Sequence, residues 1–447
     1  MKMSFNASDF FYPLLKTTPF SQPFSTHKTL TNSDSPTNLS HLVFGLVSSE
    51  KAWHHRKAYI ESWWRPNITR GCLFLDKDPS PELLPWPQTS PPYRVSDDIT
   101  QLLNKSEIRA QRMVHGIMEL LRELDHENLQ WVVMGDDDSI FFVDNIVDVL
   151  AKYDHTKYYY LGGHSEFLLS NYLFSFNQAF GGGGIMLSYP LAKALARDME
   201  NCLKRYVFLD SADNTTRACI ADIGANLSPQ KGNHQLDFRG DISGLLSSHP
   251  VSPLISLHHF DMLEPIFPFK DRFESTRHLM TAAKADQSRM LQQTICYHRQ
   301  SNWSFSISWG YSAQIYERII PRSYLQIPIE TFKPWVRTPR PPNYLFNTRK
   351  PSWDPCEAPH VFFFESMEKT IERNEILTSY SRAWPRALPA CSSSGNHSAE
   401  YIQRIQVLSP PTKRTEVDRC ECCDVVRMDS VKAEIRVREC MTGEIIA

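Results

Sequence analysis

The sequence predicts an α/β protein: a mixed or parallel sheet with helices on both faces, followed by a smaller β-rich region. Three observations carry this. Trp131 to Met134 is a continuous apolar run of β-branched and aromatic character that ends in Gly135 and three carboxylates, Asp136, Asp137 and Asp138; such a run suits a strand buried on both faces of a parallel sheet. Strand-like and helix-like patterns alternate from His41 to Met199 at the spacing of βα units. Beyond Pro268 a period of two takes over, with Trp303, Phe305, Ile307, Trp309 and Tyr311 alternating with Ser304, Ser306, Ser308 and Gly310.

Residues 1–40 are rich in Ser, Thr, Pro and Asn and read as a flexible stem. The α/β domain follows over residues 41–268. His41 to Val47 is its first strand, Ser48 and Ser49 cap a helix through Trp53, Tyr59, Ile60 and Trp63, and Gly71 to Leu75 is the second strand. A Pro-rich surface loop from Pro79 to Pro92 precedes a strongly helical stretch from Ser106, with Val114, Ile117, Leu120 and Leu121 at spacings of three and four. Val143 to Tyr153 is a helix, Lys157 to Leu161 a strand, and Pro190 opens a further helix through Met199. Residues 269–385 form the β-rich appended domain, with a helical stretch from Thr276 to Cys296 and strands at Trp303 to Ile315, Tyr324 to Ile329 and His360 to Phe364. Its alternating aromatics read as core in preference to a glycan-binding face. Residues 386–447 read as a loosely ordered, Cys-containing tail.

The chain has 447 residues, of which 41% are hydrophobic and 22% charged, and a formal net charge of -2. That balance gives no electrostatic reason to expect a nucleic-acid partner. Ten cysteines are present, and the crowded set Cys420, Cys422 and Cys423 lacks the spacing of a zinc knuckle, so disulfides or free thiols are expected. Asn-x-Ser/Thr sequons stand at Asn6, Asn38, Asn67, Asn104, Asn214, Asn226, Asn302 and Asn396. With the cysteines they lean toward a secretory-pathway lumen. No stretch reaches the length of a signal core or a membrane span, so any membrane association needs an anchor not visible in this sequence.

The carboxylate cluster sits at the carboxyl end of its strand, the edge where ligands bind in open α/β sheets. Adjacent carboxylates repel, and a divalent cation carrying a phosphorylated ligand would neutralise them; an Asp-rich turn is the alternative. Gly181, Gly182, Gly183 and Gly184 precede an apolar strand. They match neither the phosphate loop nor the dinucleotide fingerprint, and serve either close backbone approach to a ligand or a glycine bulge.

Taken together, Leu42 to Ser49 with Arg56 and Trp64, Trp131 to Asp138, Tyr160 to Gly163, Phe180 to Ser188 and Leu257 to His259 resemble the fringe-type and core-1-type β-1,3-glycosyltransferases. The chain looks most like plant fringe-related proteins that carry an appended C-terminal domain. The resemblance implies a GT-A-type fold and a Golgi-lumen enzyme that moves a hexose or N-acetylhexosamine from a UDP-sugar to a hydroxyl of a glycan or glycoconjugate, with inversion and with Mn2+. It implies Asp138 and His259 as metal ligands, with His258 as the alternative to the latter. Arg56, Asp136, Asp137, Gly182 and Gly183 would contact the donor. The family's base lies four residues before a glycine; with Gly224 as that glycine the position holds Ile220. Asp222 is therefore the expected base, with Asp213 as the alternative, and a catalytically silent glycan- or nucleotide-binding protein on the same fold is the competing reading.

Overall fold

The computed structural model describes residues 36–446 apart from 250–251, 339–340, 371–373, 392–397 and 415–418. The stem expected over residues 1–35 and the sequons at Asn6 and Asn396 lie outside the described residues. Residues Thr37–Ala447 form one compact unit.

Its first layer is a mixed seven-stranded sheet in the order Tyr93–Val95, Gly71–Leu75, Leu42–Val47, Trp131–Asp136, Ile185–Ser188, Tyr160–Gly162, Leu227–Pro229. Only Ile185–Ser188 runs against its neighbours. The central strands Leu42–Val47 and Trp131–Met134 are buried throughout, as their unbroken apolar character requires. Helix Glu50–Trp63 covers one face, with Trp53, Tyr59 and Trp63 buried. Helices Arg109–Glu123, Tyr189–Arg205 and Ala212–Asp222 cover the other, the last two tied by the Cys202–Cys219 disulfide. The α/β class expected from the alternating pattern is the one found.

A three-stranded sheet, Ile140–Phe141, Ser256–His258 and Asn233–Gln235, lies at the carboxyl end of the central strand. It brings chain from beyond residue 230 against the carboxylate cluster. That is its importance for the site.

The second half builds an eight-stranded sheet in the order Gln293–His298, Trp303–Ser308, Ser312–Tyr316, His360–Thr370, Glu375–Arg382, Arg404–Ser409, Lys432–Arg438, Cys422–Met428. Several expectations change here. The Trp303 to Ile315 run is a hairpin, because Gly310 adopts a left-handed φ of 75° and turns the chain. The helix is Arg272–Ala285, started by an Asp271–Glu274 capping box, and the chain from Gln293 is strand. Tyr324 to Ile329 is not a strand: Pro321 begins a short helical turn, Arg322–Leu325. Most of all, the expected loose tail contributes three strands between Arg404 and Arg438. Their alternation is readable only once a partner sheet buries Ile405, Val407, Ala433, Ile435 and Val437. The disulfide Cys296–Cys423 joins the two edge strands, so the sheet curls until its edges meet. Cys356–Cys391 and Cys422–Cys440 complete the pairing, leaving Cys72 and Cys420 as thiols. The alternating aromatics Trp303, Phe305, Trp309 and Tyr311 are core, and one hydrophobic cluster continues from Leu42 to Val437 across residue 268.

Glu317 pins this region. It is buried and accepts hydrogen bonds from His360 Nε2 at 2.9 Å, Cys391 N at 2.7 Å, Ser398 Oγ at 2.9 Å and Ala399 N at 2.6 Å. Burial alone would raise its carboxyl pKa; these donors outweigh burial and pull it down from 4.5 to about 2. A depressed carboxyl pKa stabilises the fold above the unfolded value, and that stability is lost as pH falls from 4.5 toward 2. Glu317→Gln should therefore cost on the order of 3 kcal/mol at neutral pH. Denaturant melts of the two proteins should differ at pH 6 and converge near pH 2.5.

Candidate functional site

Strand Trp131–Asp136 delivers the three carboxylates to its carboxyl end, where Ser139 accepts the Asp136 N–H at 2.8 Å and donates to Gly182 O at 2.6 Å. Asp137 and Asp138 are almost fully buried, 4% and 1% exposed, whereas Asp136 is partly open. Ser48 Oγ and Arg56 Nη1, the latter at 2.9 Å, donate to Asp137. The other arm of Arg56 reaches Asp261, so one guanidinium links helix Glu50–Trp63 to both halves of the site.

Opposite stands His258, the last residue of its strand. Its Nε2 lies 3.0 Å from Asp138 Oδ1 and 3.7 Å from Asp136 Oδ2. Its Nδ1 faces Gln235 Oε1 at 2.9 Å, and Gln235 is oriented by accepting from Gly183 N at 3.1 Å and donating to Asp237 at 3.0 Å. Gln235 therefore offers an acceptor, which places the His258 proton on Nδ1 and turns the Nε2 lone pair toward Asp138. Two acceptors at that distance need a proton or a cation between them. Asp138 Oδ2 is buried with no hydrogen-bond partner among the described residues. The donor set Asp136, Asp138 and His258, with ligand atoms within 4.8 Å of one another, fits a divalent ion of the manganese class.

The electrostatics agree. Burial lifts the Asp136 carboxyl to about 7, with Asp138 and Asp137 adding to the rise and His258 opposing it. Burial and Asp138 also push Asp137 up against Ser48 and Arg56. When the proton between Asp138 and His258 sits on the imidazole, its charge and Arg56 outweigh burial and hold the Asp138 carboxyl below the ordinary range. Without a cation Asp136 thus retains a proton up to about neutral pH.

The expected ligand His259 lies near enough to Asp138 for each to shift the other's pKa, but its Nδ1 is committed elsewhere. His259 ends the strand with a left-handed φ of 70°; its Nδ1 pairs with Asp237 at 3.0 Å, and its ring stacks on Trp335 at 4.9 Å and lies against the His258 ring at 3.8 Å. Burial would lower the His259 pKa, but Asp237 raises it. The metal-capable imidazole is its neighbour, His258. Gly182 and Gly183 do not face ligand space either. Both are buried, and a Cβ on Gly182 would lie 2.0 Å from the His258 ring. Gly182 lets His258 lie flat against the backbone, whereas Gly183 faces Gln235. Gly182→Ala should displace that ring and weaken manganese binding at least about tenfold, by analogy with the loss of a ligand-orienting contact; titration calorimetry checks it.

Asp222 is a second correction. It is exposed at the end of its helix, held by Arg205 at 2.7 Å and Tyr206 Oη at 2.8 Å. Ile220 is buried in the core. Asp213, at the first turn of the same helix, points into the site: its Oδ1 accepts the Gly181 N–H at 2.7 Å. Nine residues separate the two acids, a turn of about 180° and a rise of about 13 Å along a helix, so only one can face the cleft. Burial raises Asp213 to about 6, moderated by Gly181 and His258.

The carboxylates border two hollows. A cleft of about 650 Å³ is lined by Ser49, Arg56, Asp76, Arg109, Asp136 and Asp137, a size that suits a nucleotide-sized ligand. A smaller one is lined by Met134, Asp136, Gly181, Asp213 and Thr216. Val47, Met113 and Asp136 line both, and Asp136 is the one carboxylate of the cluster that they share. Gln235, Asp237 and Trp335 carry no local sequence signal, since each acts through a partner distant in the chain.

The family described as "Protein of unknown function, DUF604" matches residues 170–423, and the family described as "Fringe-like" matches residues 94–224. No curated protein matches the chain. The two matches overlap across Gly181 to Asp213 and between them span the carboxylate strand and His258.

Proposed function

This chain belongs to the DUF604 family and carries a fringe-like match, which implies a glycosyltransferase, and from that premise we propose a metal-dependent, inverting β-1,3 transfer of a hexose or N-acetylhexosamine from a UDP-sugar to an acceptor hydroxyl.

 The single observation that carries this is the placement of Asp136 between a nucleotide-sized cleft and Asp213. The cleft takes the UDP moiety, with Asp136 and Asp137 on the sugar and ribose side and Arg56 beside the diphosphate. Asp138, His258 and Asp136 would hold Mn2+. When bound, the ion supplies positive charge against the diphosphate leaving group. Asp213 accepts the proton of the acceptor hydroxyl as that oxygen attacks the anomeric carbon; a carboxyl raised to about 6 is ionised at neutral pH yet more basic than an ordinary carboxylate. The competing silent reading rested on Ile220 in the place of a base, and Asp213 supplies the carboxylate that Ile220 lacks.

Four disulfides suit an oxidising compartment, and the fringe-like match implies the secretory pathway; the Golgi lumen is our proposal within it. No described helix is long and apolar enough to cross a membrane. Calorimetry with UDP, with and without Mn2+, followed by an assay for UDP release from UDP-hexoses, tests the reading. Metal-dependent UDP binding with turnover is expected. UDP binding indifferent to metal would sink the donor site, and binding without turnover on any acceptor would leave the silent protein as the answer.

A further inference from the structure

We infer that the chain holds a second divalent cation, of the zinc class, at Asp97, His115 and Glu119. His115 and Glu119 lie one turn apart on the inner face of helix Arg109–Glu123 and are 2% and 0% exposed. Their closest approach, Nδ1 to Oε1, is 3.5 Å, too long for a good hydrogen bond. His115 Nδ1 and Glu119 Oε2 are both buried without a hydrogen-bond partner among the described residues. The other Glu119 oxygen accepts the Asp97 N–H at 2.5 Å, which draws the Asp97 carboxylate over the pair. One ligand atom from each of the three residues lies within 4.8 Å of the others.

An imidazole nitrogen and a carboxylate oxygen left bare in the interior cost free energy, and native proteins rarely leave both at one spot. One cation satisfies the two at once. Imidazole with two carboxylates is a zinc-type donor set, and three protein ligands leave a fourth position for water. Arg122 grips Asp97 at 2.7 and 3.0 Å and orients it as an outer-sphere partner does. The buried Arg112 gives the rival explanation of Glu119 as a counter-charge, yet its own hydrogen bonds go to Ser96 Oγ and Ser48 O. Neither explains the bare His115 nitrogen. Asp97 also lines the large cleft, so an ion here would brace the cleft wall against the helix from behind, apart from the Asp138 cluster.

The test counts zinc per chain by plasma mass spectrometry after chelator dialysis and reloading, on the full chain and on Glu119→Gln, Asp97→Asn and Asp138→Asn. Glu119→Gln and Asp97→Asn should each lose one ion relative to wild type, while Asp138→Asn keeps that ion and loses the other. Zinc should also raise the melting temperature of Asp138→Asn. Equal zinc counts in wild type and Asp97→Asn, whose carboxylate is partly exposed and whose loss spares the core, would overturn the site, as would an Asp138→Asn protein whose melting is indifferent to zinc. An Asp138→Asn protein with an unchanged count would instead refute the donor cluster and leave this site standing.

Discussion

Asp138→Asn should abolish metal-dependent UDP binding and lower sugar transfer on the order of 10³-fold, the equivalent of several kcal/mol of leaving-group stabilisation at about 1.4 kcal/mol per tenfold. The substitution keeps the shape of the side chain and removes the charge that faces His258 Nε2 at 3.0 Å. Arg56 retains Asp137 at 2.9 Å and its contact to Asp261, so the fold around the site has no new unpaired cation. Thermal melting of the metal-free variant should therefore stay close to wild type, while the stabilisation that Mn2+ gives the wild type disappears. His259→Gln provides the contrast, because His259 answers to Asp237. It should keep metal-dependent UDP binding, measured by the same calorimetry, whereas His258→Gln should lose it.

That contrast shows where sequence reasoning stops. The carboxylate strand was legible because its signal is local: an unbroken apolar run, a glycine and three acids in sequence. The choice between two adjacent histidines was not, because it depends on a left-handed backbone at His259 that no side-chain pattern announces for a non-glycine residue. Gly182 and Gly183 misled for a related reason. The missing Cβ of Gly182 does permit a close approach, but what approaches is the His258 ring, brought in by a strand more than 70 residues later, and Gly183 packs on Gln235. In the second half, the hairpin of Cys422–Met428 and Lys432–Arg438 exposes charged residues and is built into a sheet only through Arg404–Ser409 and the Cys296–Cys423 disulfide, so it resembles a solvated tail when read alone. The disulfide that closes the sheet, Cys296–Cys423, pairs residues that spacing does not connect.

Asp213→Asn should leave Mn2+-dependent UDP binding intact and cut turnover by about 10²–10⁴-fold, the usual worth of a positioned general base. Asp222→Asn should change neither UDP binding nor turnover, since that carboxylate is spent on Arg205 and Tyr206 outside the cleft. The pH profile separates a base from a packing residue. Burial lifts Asp213 to about 6 from the ordinary carboxyl value of 3.8, while the Gly181 N–H and His258 restrain the rise. A base works only when ionised, so the wild-type rate should climb as pH rises through about 6 and level off above it. In Asp213→Asn that acid limb should vanish from the residual rate. Asp213→Glu lengthens the side chain by one methylene and moves the carboxylate off its Gly181 anchor, and it should recover part of the rate together with a titrating limb. Kinetics of UDP release from pH 5 to 8 on the three proteins would decide the matter: an unchanged acid limb in Asp213→Asn would exclude Asp213 as the proton acceptor, and a loss of UDP binding in the same variant would mean that it props up the donor site instead.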